Sequence, residues 1–200
     1  MINNFRIEVF TKSFDTRAES RKKKLFYSDF HNIRDLWLAD VYTINKELTQ
    51  SELIQIASSL SNPVTQFAHI RGVNNIFDDD QKLIRKKFDW AIETGYLPGV
   101  TDNVAHTAKE IIEDLIKSKF TANEDVYTSQ ITYISGEISR LQVNRIAETF
   151  YNPLIQRAYI KSNNQYFKDN GMDIIVPKVK LIQSVKVSKV DLNVGDEELV

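Results

Sequence analysis

The feature that most limits what this chain can fold into is that it repeats itself. The stretch TQSELIQIASSLSNPVTQ, starting at Thr49, returns as SRLQVNRIAETFYNPLIQ, starting at Ser139. At this offset of 90, Glu52 falls on Gln142, Leu53 on Val143, Ile56 on Ile146 and Ala57 on Ala147. Leu60 falls on Phe150, Asn62-Pro63 on Asn152-Pro153 and Gln66 on Gln156. Upstream, Asp40-Val41-Tyr42-Thr43 matches Asp125-Val126-Tyr127-Thr128 at an offset of 85, which places five extra residues between the two matches in the second copy. A repeat of this length means a tandem duplication, and it has to be read before anything else.

Each matched segment has a physical reading. Thr49 and Ser139 are helix N-caps, and Glu52 and Gln142 stand three residues on, so each pair forms a capping box. Leu53, Ile56, Ala57 and Leu60 fall at i, i+3, i+4 and i+7, one apolar stripe on a helix, and Val143, Ile146, Ala147 and Phe150 repeat it. Pro63 and Pro153 stop these helices and release the chain into strands over Gln66–Ile70 and Leu154–Ser162. Ahead of each helix, Leu36–Leu48 and Asp125–Ser135 are β-branched and aromatic, as strands are. Earlier still, Phe5–Lys12 reads as a strand followed by a helix from near Asp15. Its counterpart is Phe88–Thr94, followed by a helix capped by Thr101 or Asp102, with Val104, Ala108, Ile111, Ile112 and Leu115 as its stripe.

Each copy is therefore β-α-β-α-β, and the fold class is α+β. A three-stranded sheet with helices on one face needs cover on the other. Two copies are expected to form a pseudo-twofold unit, with their sheets packed or paired together and helices outside. The division is 1–71 for the first repeat, 72–87 for a linker, 88–162 for the second repeat and 163–200 for an extended segment. Within the linker, Asp78-Asp79-Asp80 lacks the ligand spacing and glycine of a calcium loop and reads as solvated chain. In the last segment NNQYFKDNGMD is loop-like, and IIVPKVKLIQ and VKVSKVDLNV alternate as extended chain. From Gly195 the acidic residues suit the first turn of a helix, so the chain is expected to continue past Val200.

Composition removes several classes of function. The 200 residues hold 26 Lys+Arg against 27 Asp+Glu, a formal net charge of −1, which disfavours a dedicated nucleic-acid binder. There is no cysteine, hence no disulfide framework, thiolate metal site or cysteine nucleophile. No apolar run reaches the ~18 residues that span a bilayer, and MINNFRIEVF is unlike a signal peptide. A cytoplasmic protein is expected.

The chemistry-bearing residues form no catalytic constellation. His31, His69 and His106 have no metal-ligand spacing and read as surface or edge histidines. No dinucleotide fingerprint, phosphate loop or nucleophile elbow occurs. Glu110, Glu113 and Asp114 are interleaved with Lys109 and Lys117, a pattern of surface pairing. Arg21-Lys22-Lys23-Lys24 could meet a phosphate or an acidic partner but reads best as a solvated helix face. Tyr42, Tyr127 and Tyr133 read as sheet core or interface. The segment with most potential is Pro98-Gly99-Val100-Thr101-Asp102-Asn103. Its glycine and proline fix a turn, and the helix N-terminus that follows offers N–H groups to an anion or a partner's carboxylate. These six residues are the candidate interface; catalytic, cofactor-binding and metal-binding residues are not expected.

The order P-G-V-T-D-N-V-A-H-T-A-K-E after a strand, then D-V-Y-T, then N-P-L-I-Q after an amphipathic helix, resembles phosphoribosylformylglycinamidine synthase. The likeness is to the region related to that enzyme's small S subunit, here duplicated in tandem, and it is weaker in the first copy, where Phe14-Asp15 replaces the Pro-Gly-Val turn. VDLNVGDEELV is similar to the stretch where the family's linker and synthetase module begin. The resemblance implies a part in purine biosynthesis, in an ATP-dependent ligase that turns formylglycinamide ribonucleotide and glutamine into the amidine. It implies a scaffold that bridges synthetase and glutaminase parts, inactive alone, with ATP and magnesium used by the full enzyme. Self-association of the chain is also expected. A module that senses an amino acid or nucleotide between its two copies is the alternative reading.

Overall fold

The computed structural model describes residues 4–72 and 88–178. Most of the linker, with Asp78–Asp80, and the end of the chain, with the Gly195 helix start, lie outside the described residues. The first repeat runs β1 (Asn4–Thr11), α1 (Thr16–Tyr27), β2 (Ile33–Asn45), α2 (Gln50–Ser59) and β3 (Gln66–Ile70). The second runs β4 (Trp90–Tyr96), α3 (Asn103–Ile116), β5 (Asp125–Gly136), α4 (Arg140–Glu148) and β6 (Gln156–Ser162). A short α5 (Asn163–Lys168) follows directly, capped by the Ser162 hydroxyl, where the sequence reads as loop.

Both capping boxes form as expected. The Thr49 hydroxyl accepts from the Glu52 amide at 3.3 Å while the Glu52 carboxylate accepts from the Thr49 amide at 2.7 Å. Ser139 and Gln142 repeat this at 3.3 and 2.9 Å. The repeated Asn-Pro-x-x-Gln also has a structural cause. The Asn62 carboxamide accepts from the Val64 amide, and the Gln66 side chain accepts from the Asn62 amide, each at 2.9 Å. Asn152, Leu154 and Gln156 make the same two bonds at 3.0 Å. The proline ends the helix and the two side chains close the turn that aims the next strand, so β6 starts at Gln156 rather than Leu154.

The two three-stranded sheets join edge to edge into one antiparallel sheet of order β3-β1-β2-β5-β4-β6, with β2 paired to β5 at its centre. This is the paired form of the expected pseudo-twofold unit. The register corrects the internal alignment. Ile7 pairs with Tyr42 and Ile70, while Ile92 pairs with Thr132 and Ile160. Tyr42 therefore corresponds to Thr132, not Tyr127, and the offset of 90 runs unbroken through β2, α2 and β3. The D-V-Y-T match at 85 is a coincidence of strand composition. The extra residues of the second repeat come earlier, in the longer turn Leu97–Thr101 and the longer α3.

All four large helices pack on one face of the sheet, and they interleave. One core joins Ile7, Val9, Ile44, Leu53 and Ile56 of the first repeat to Ala105, Ala108, Ile112 and Val126 of the second. The other joins Ala18, Leu25, Leu36 and Leu38 to Ile92, Ile134, Val143 and Ile146. Thus α2 and α3 roof one core and α1 and α4 the other. These four helices leave the opposite face of the sheet to other cover, and its residues are buried all the same, Ala39, Val41 and Ile131 among them. That face carries an aromatic cluster, with Phe10 stacked on Phe67 at 5.1 Å and Tyr133 against Phe88 at 5.0 Å. Tyr166 of α5 and Met172 just after it pack on this cluster.

Candidate functional site

The predicted interface segment lies at the turn from β4 to α3. Pro98 and Gly99 are exposed at its tip, where Gly99 takes a φ of +83° and the Val100 amide bonds the Leu97 carbonyl at 3.2 Å. Thr101 is exposed, Asn103 opens α3, and the cap between them is Asp102 rather than Thr101. One Asp102 oxygen accepts from the Ala105 amide at 2.9 Å; the other accepts from the Thr128 amide and hydroxyl at 2.9 and 2.8 Å. The chain's own carboxylate therefore fills the helix terminus and ties α3 to β5. An incoming anion has no vacant cap here, so the segment's potential lies in its exposed surface. A recess of about 460 Å³ beside it is lined by Leu97, Val100, Tyr127 and Pro177, among others. Lys178 closes one side by bonding Asn45 Oδ1 at 2.8 Å and the Asn123 carbonyl.

A second recess, of about 380 Å³, sits on the helix face where the two repeats meet. Asp40 of β2 and Gln130 of β5 correspond at the offset of 90 and pair with one another, so the pseudo-twofold axis passes between them. The Gln130 amide donates to Asp40 Oδ1 at 2.7 Å. Arg17 donates to Asp40 at 2.8 Å and to Asp15, the α1 cap, at 3.0 Å. Arg21 turns inward from the basic run instead of joining its solvated face. It donates to Thr132 Oγ1 at 2.6 Å and Gln130 Oε1 at 2.7 Å. Lys23 and Lys24 stay exposed, as the sequence suggests.

The opposite face of the sheet buries a charge network. Arg6 donates through Nε to Glu8 at 2.7 Å and through both terminal nitrogens to Glu93 at 3.0 and 2.9 Å. Arg71 donates to Glu8 at 3.0 Å and also bonds the Met172 carbonyl. Ser129 donates to Glu93 at 2.5 Å. Glu8 and Glu93 are equivalent positions of β1 and β4, as the shared register of Ile7 and Ile92 shows. Burial by itself would raise the Glu8 carboxyl, but the Arg6 and Arg71 guanidiniums overrule it and hold it below the usual carboxylate range. Burial also pushes the Tyr166 hydroxyl up to about 12. Nearby, Lys161 bonds Asp169 and Asp173, each at 2.8 Å, and the Gly171 carbonyl at 3.0 Å, which holds the chain after α5 against β6.

The sequence marks Arg21 only as one member of its basic run, and the paired glutamates do not stand out in it. At the separation of 85 that Ile7 and Ile92 set for β1 and β4, Glu8 and Glu93 fall on equivalent strand positions, and that was the one available signal. Among the described residues no cluster of His, Asp and Glu has the geometry of a metal site, and no helix is long and apolar enough to cross a membrane. Tyr133 is core, as expected, whereas Tyr42 and Tyr127 are half-buried. No family model matches the chain, and no curated protein matches it either.

Proposed function

We propose that the chain is a non-catalytic assembly module of a phosphoribosylformylglycinamidine synthase, equivalent to two S-subunit-like repeats fused in tandem and working in the cytoplasm. The observation that carries this reading is the joining of two β-α-β-α-β repeats into one sheet with interleaved helices. Such a rigid, two-sided body suits a bridge between larger parts. The Pro-Gly-Val-x-Asp helix entry and the Asn-Pro strand entry add motif likeness, which is a stronger warrant than fold alone. In this role the chain contributes surface: Pro98, Gly99, Val100 and Thr101 project at a turn that Asp102 anchors to both α3 and β5. ATP, magnesium and glutamine chemistry belong to the synthetase and glutaminase partners, and no step of it is assigned to residues of this chain.

The test is reconstitution. The purified chain is added to synthetase and glutaminase parts of such an enzyme that lack the S-like region, and amidine formation is followed with glutamine or with ammonia. Glutamine-dependent turnover should appear while ammonia-dependent turnover stays as it was. Val100→Asp should weaken the gain without lowering the melting temperature of the chain. Turnover by the chain alone, or no gain on mixing, would sink the proposal.

A further inference from the structure

The helix-facing side of the central strands is apolar at its two ends and polar in its middle. Leu36, Leu38 and Ile134 serve one core, Ile44 and Val126 the other. Between them stand Asp40, Tyr42, Thr128, Gln130 and Thr132, all but the tyrosine short or polar. A sheet face roofed by helices favours apolar side chains, so this strip is explained by what it fronts. It fronts the recess of about 380 Å³ on the pseudo-twofold axis, a volume that suits a small molecule.

Arg21 is the group in this recess whose charge is least answered. The carboxylate that lines it, Asp40, is engaged by Arg17 and by Gln130. Asp15, further out, is also held by Arg17. Arg21 itself donates to two neutral oxygens and lies 4.8 Å from the centre of the Phe150 ring. Those bonds use two of the five N–H groups of a guanidinium. Burial, and then the neighbouring Arg17, pull its pKa below the ordinary value against the attraction of Asp40 and Asp15.

The two repeats differ here in a way that makes the recess amphipathic. Counted from the caps Asp15 and Asp102, Arg17 and Arg21 of α1 correspond to Val104 and Ala108 of α3. One wall is therefore cationic and the other apolar. Val104 is 57% exposed beside the recess it lines.

We infer that the recess binds a small organic anion, whose carboxylate or phosphate group meets Arg21 and whose apolar body rests on Val104 and Phe150. The site is independent of the assembly role: it uses the helix face at the axis, not the Pro98–Thr101 turn, and reconstitution could fail while this binding holds.

The test titrates the full chain with benzoate, phenyl phosphate and inorganic phosphate, with benzyl alcohol as the neutral control, reading calorimetry and the NMR shifts of the Arg21 Nε–H and the Gly95 amide. Benzoate or phenyl phosphate should bind saturably with a Kd of about 1 mM or tighter; the preferred one identifies the anionic group. Arg21→Gln should weaken binding by roughly tenfold or more, Arg21→Lys by less, and benzyl alcohol should not bind. If Arg21→Gln fails to fold, Val104→Glu serves instead, because it adds a carboxylate at an exposed position and should abolish anion binding. The inference is overturned if neither aromatic anion saturates, if inorganic phosphate binds as well as phenyl phosphate, or if the variants leave affinity unchanged.

Discussion

The two faces of the sheet are both buried, yet by opposite means. The helix face is closed by four capped helices whose apolar stripes meet apolar strand positions. The other face holds a guanidinium between two carboxylates, with Arg6 and Glu8 1% and 2% exposed. Apolar burial is forgiving, because loss of one side chain removes its own contacts and leaves a cavity. A buried ionic network is not, because loss of one member strands the others without water. The difference suggests that the helix face supplies most of the stability, while the charged face enforces one register between β1 and β4. Arg6 on β1 grips Glu93 on β4 across the two central strands, so a slipped sheet would leave charges unpaired.

The sharpest way to break this comparison is Arg6→Ala. It leaves Glu8 and Glu93 buried beside a single remaining guanidinium and should cost about 3–5 kcal/mol in chemical denaturation. A cost below that of a core truncation would mean that the network is wetter than its burial implies. The same network sets acid sensitivity. Because the Glu8 carboxyl is held below its usual range, its contribution is present at neutral pH and is lost as pH falls through the folded-state pKa. Acid unfolding followed by circular dichroism should therefore begin at higher pH in Arg6→Ala than in the parent chain. On the helix face, Ile146→Ala should cost about 3 kcal/mol, since Ile146 is fully buried in the core under α1 and α4. An unchanged melting temperature would refute that placement. The smallest effect is expected at the helix ends: Ser139→Ala removes one half of a capping box and should cost about 1 kcal/mol. Thr49→Ala should match it, and a large disparity would show that the two repeats do not share their load evenly.

What the sequence discloses follows from the range of the forces involved. Caps, stripes and Asn-Pro turns act over three to eight residues, so Thr49, Ile56 and Asn62 could be read in place, with their copies 90 residues on. The joining of the sheets was foreseeable from the duplication, because two equal half-units tend to complete each other. The register was not. Asp-Val-Tyr-Thr looked like the same strand segment twice, and only the pairing of Ile92 with Thr132 shows which residues correspond. The candidate site was legible in part. Pro98–Asn103 is the exposed turn expected of it, but the cap chemistry is internal, because Thr128 comes from β5 and cannot be anticipated from the turn. Arg21 was hidden in a run of like charges, and its inward path depends on two polar residues more than a hundred positions away. Likewise α5 is too short for a periodic signal; its start rests on the Ser162 cap.

The interleaving of the helices has a consequence for how copies of this chain treat one another. Each core is completed by strands and helices from both repeats, so neither half can close its own. The β2–β5 seam, however, is chemically the same whether its two strands belong to one chain or to two. A first repeat can therefore be finished by the second repeat of a neighbour, which makes domain exchange the natural failure mode at high concentration. The same architecture means that the halves, expressed as separate polypeptides, should find each other and fold only together.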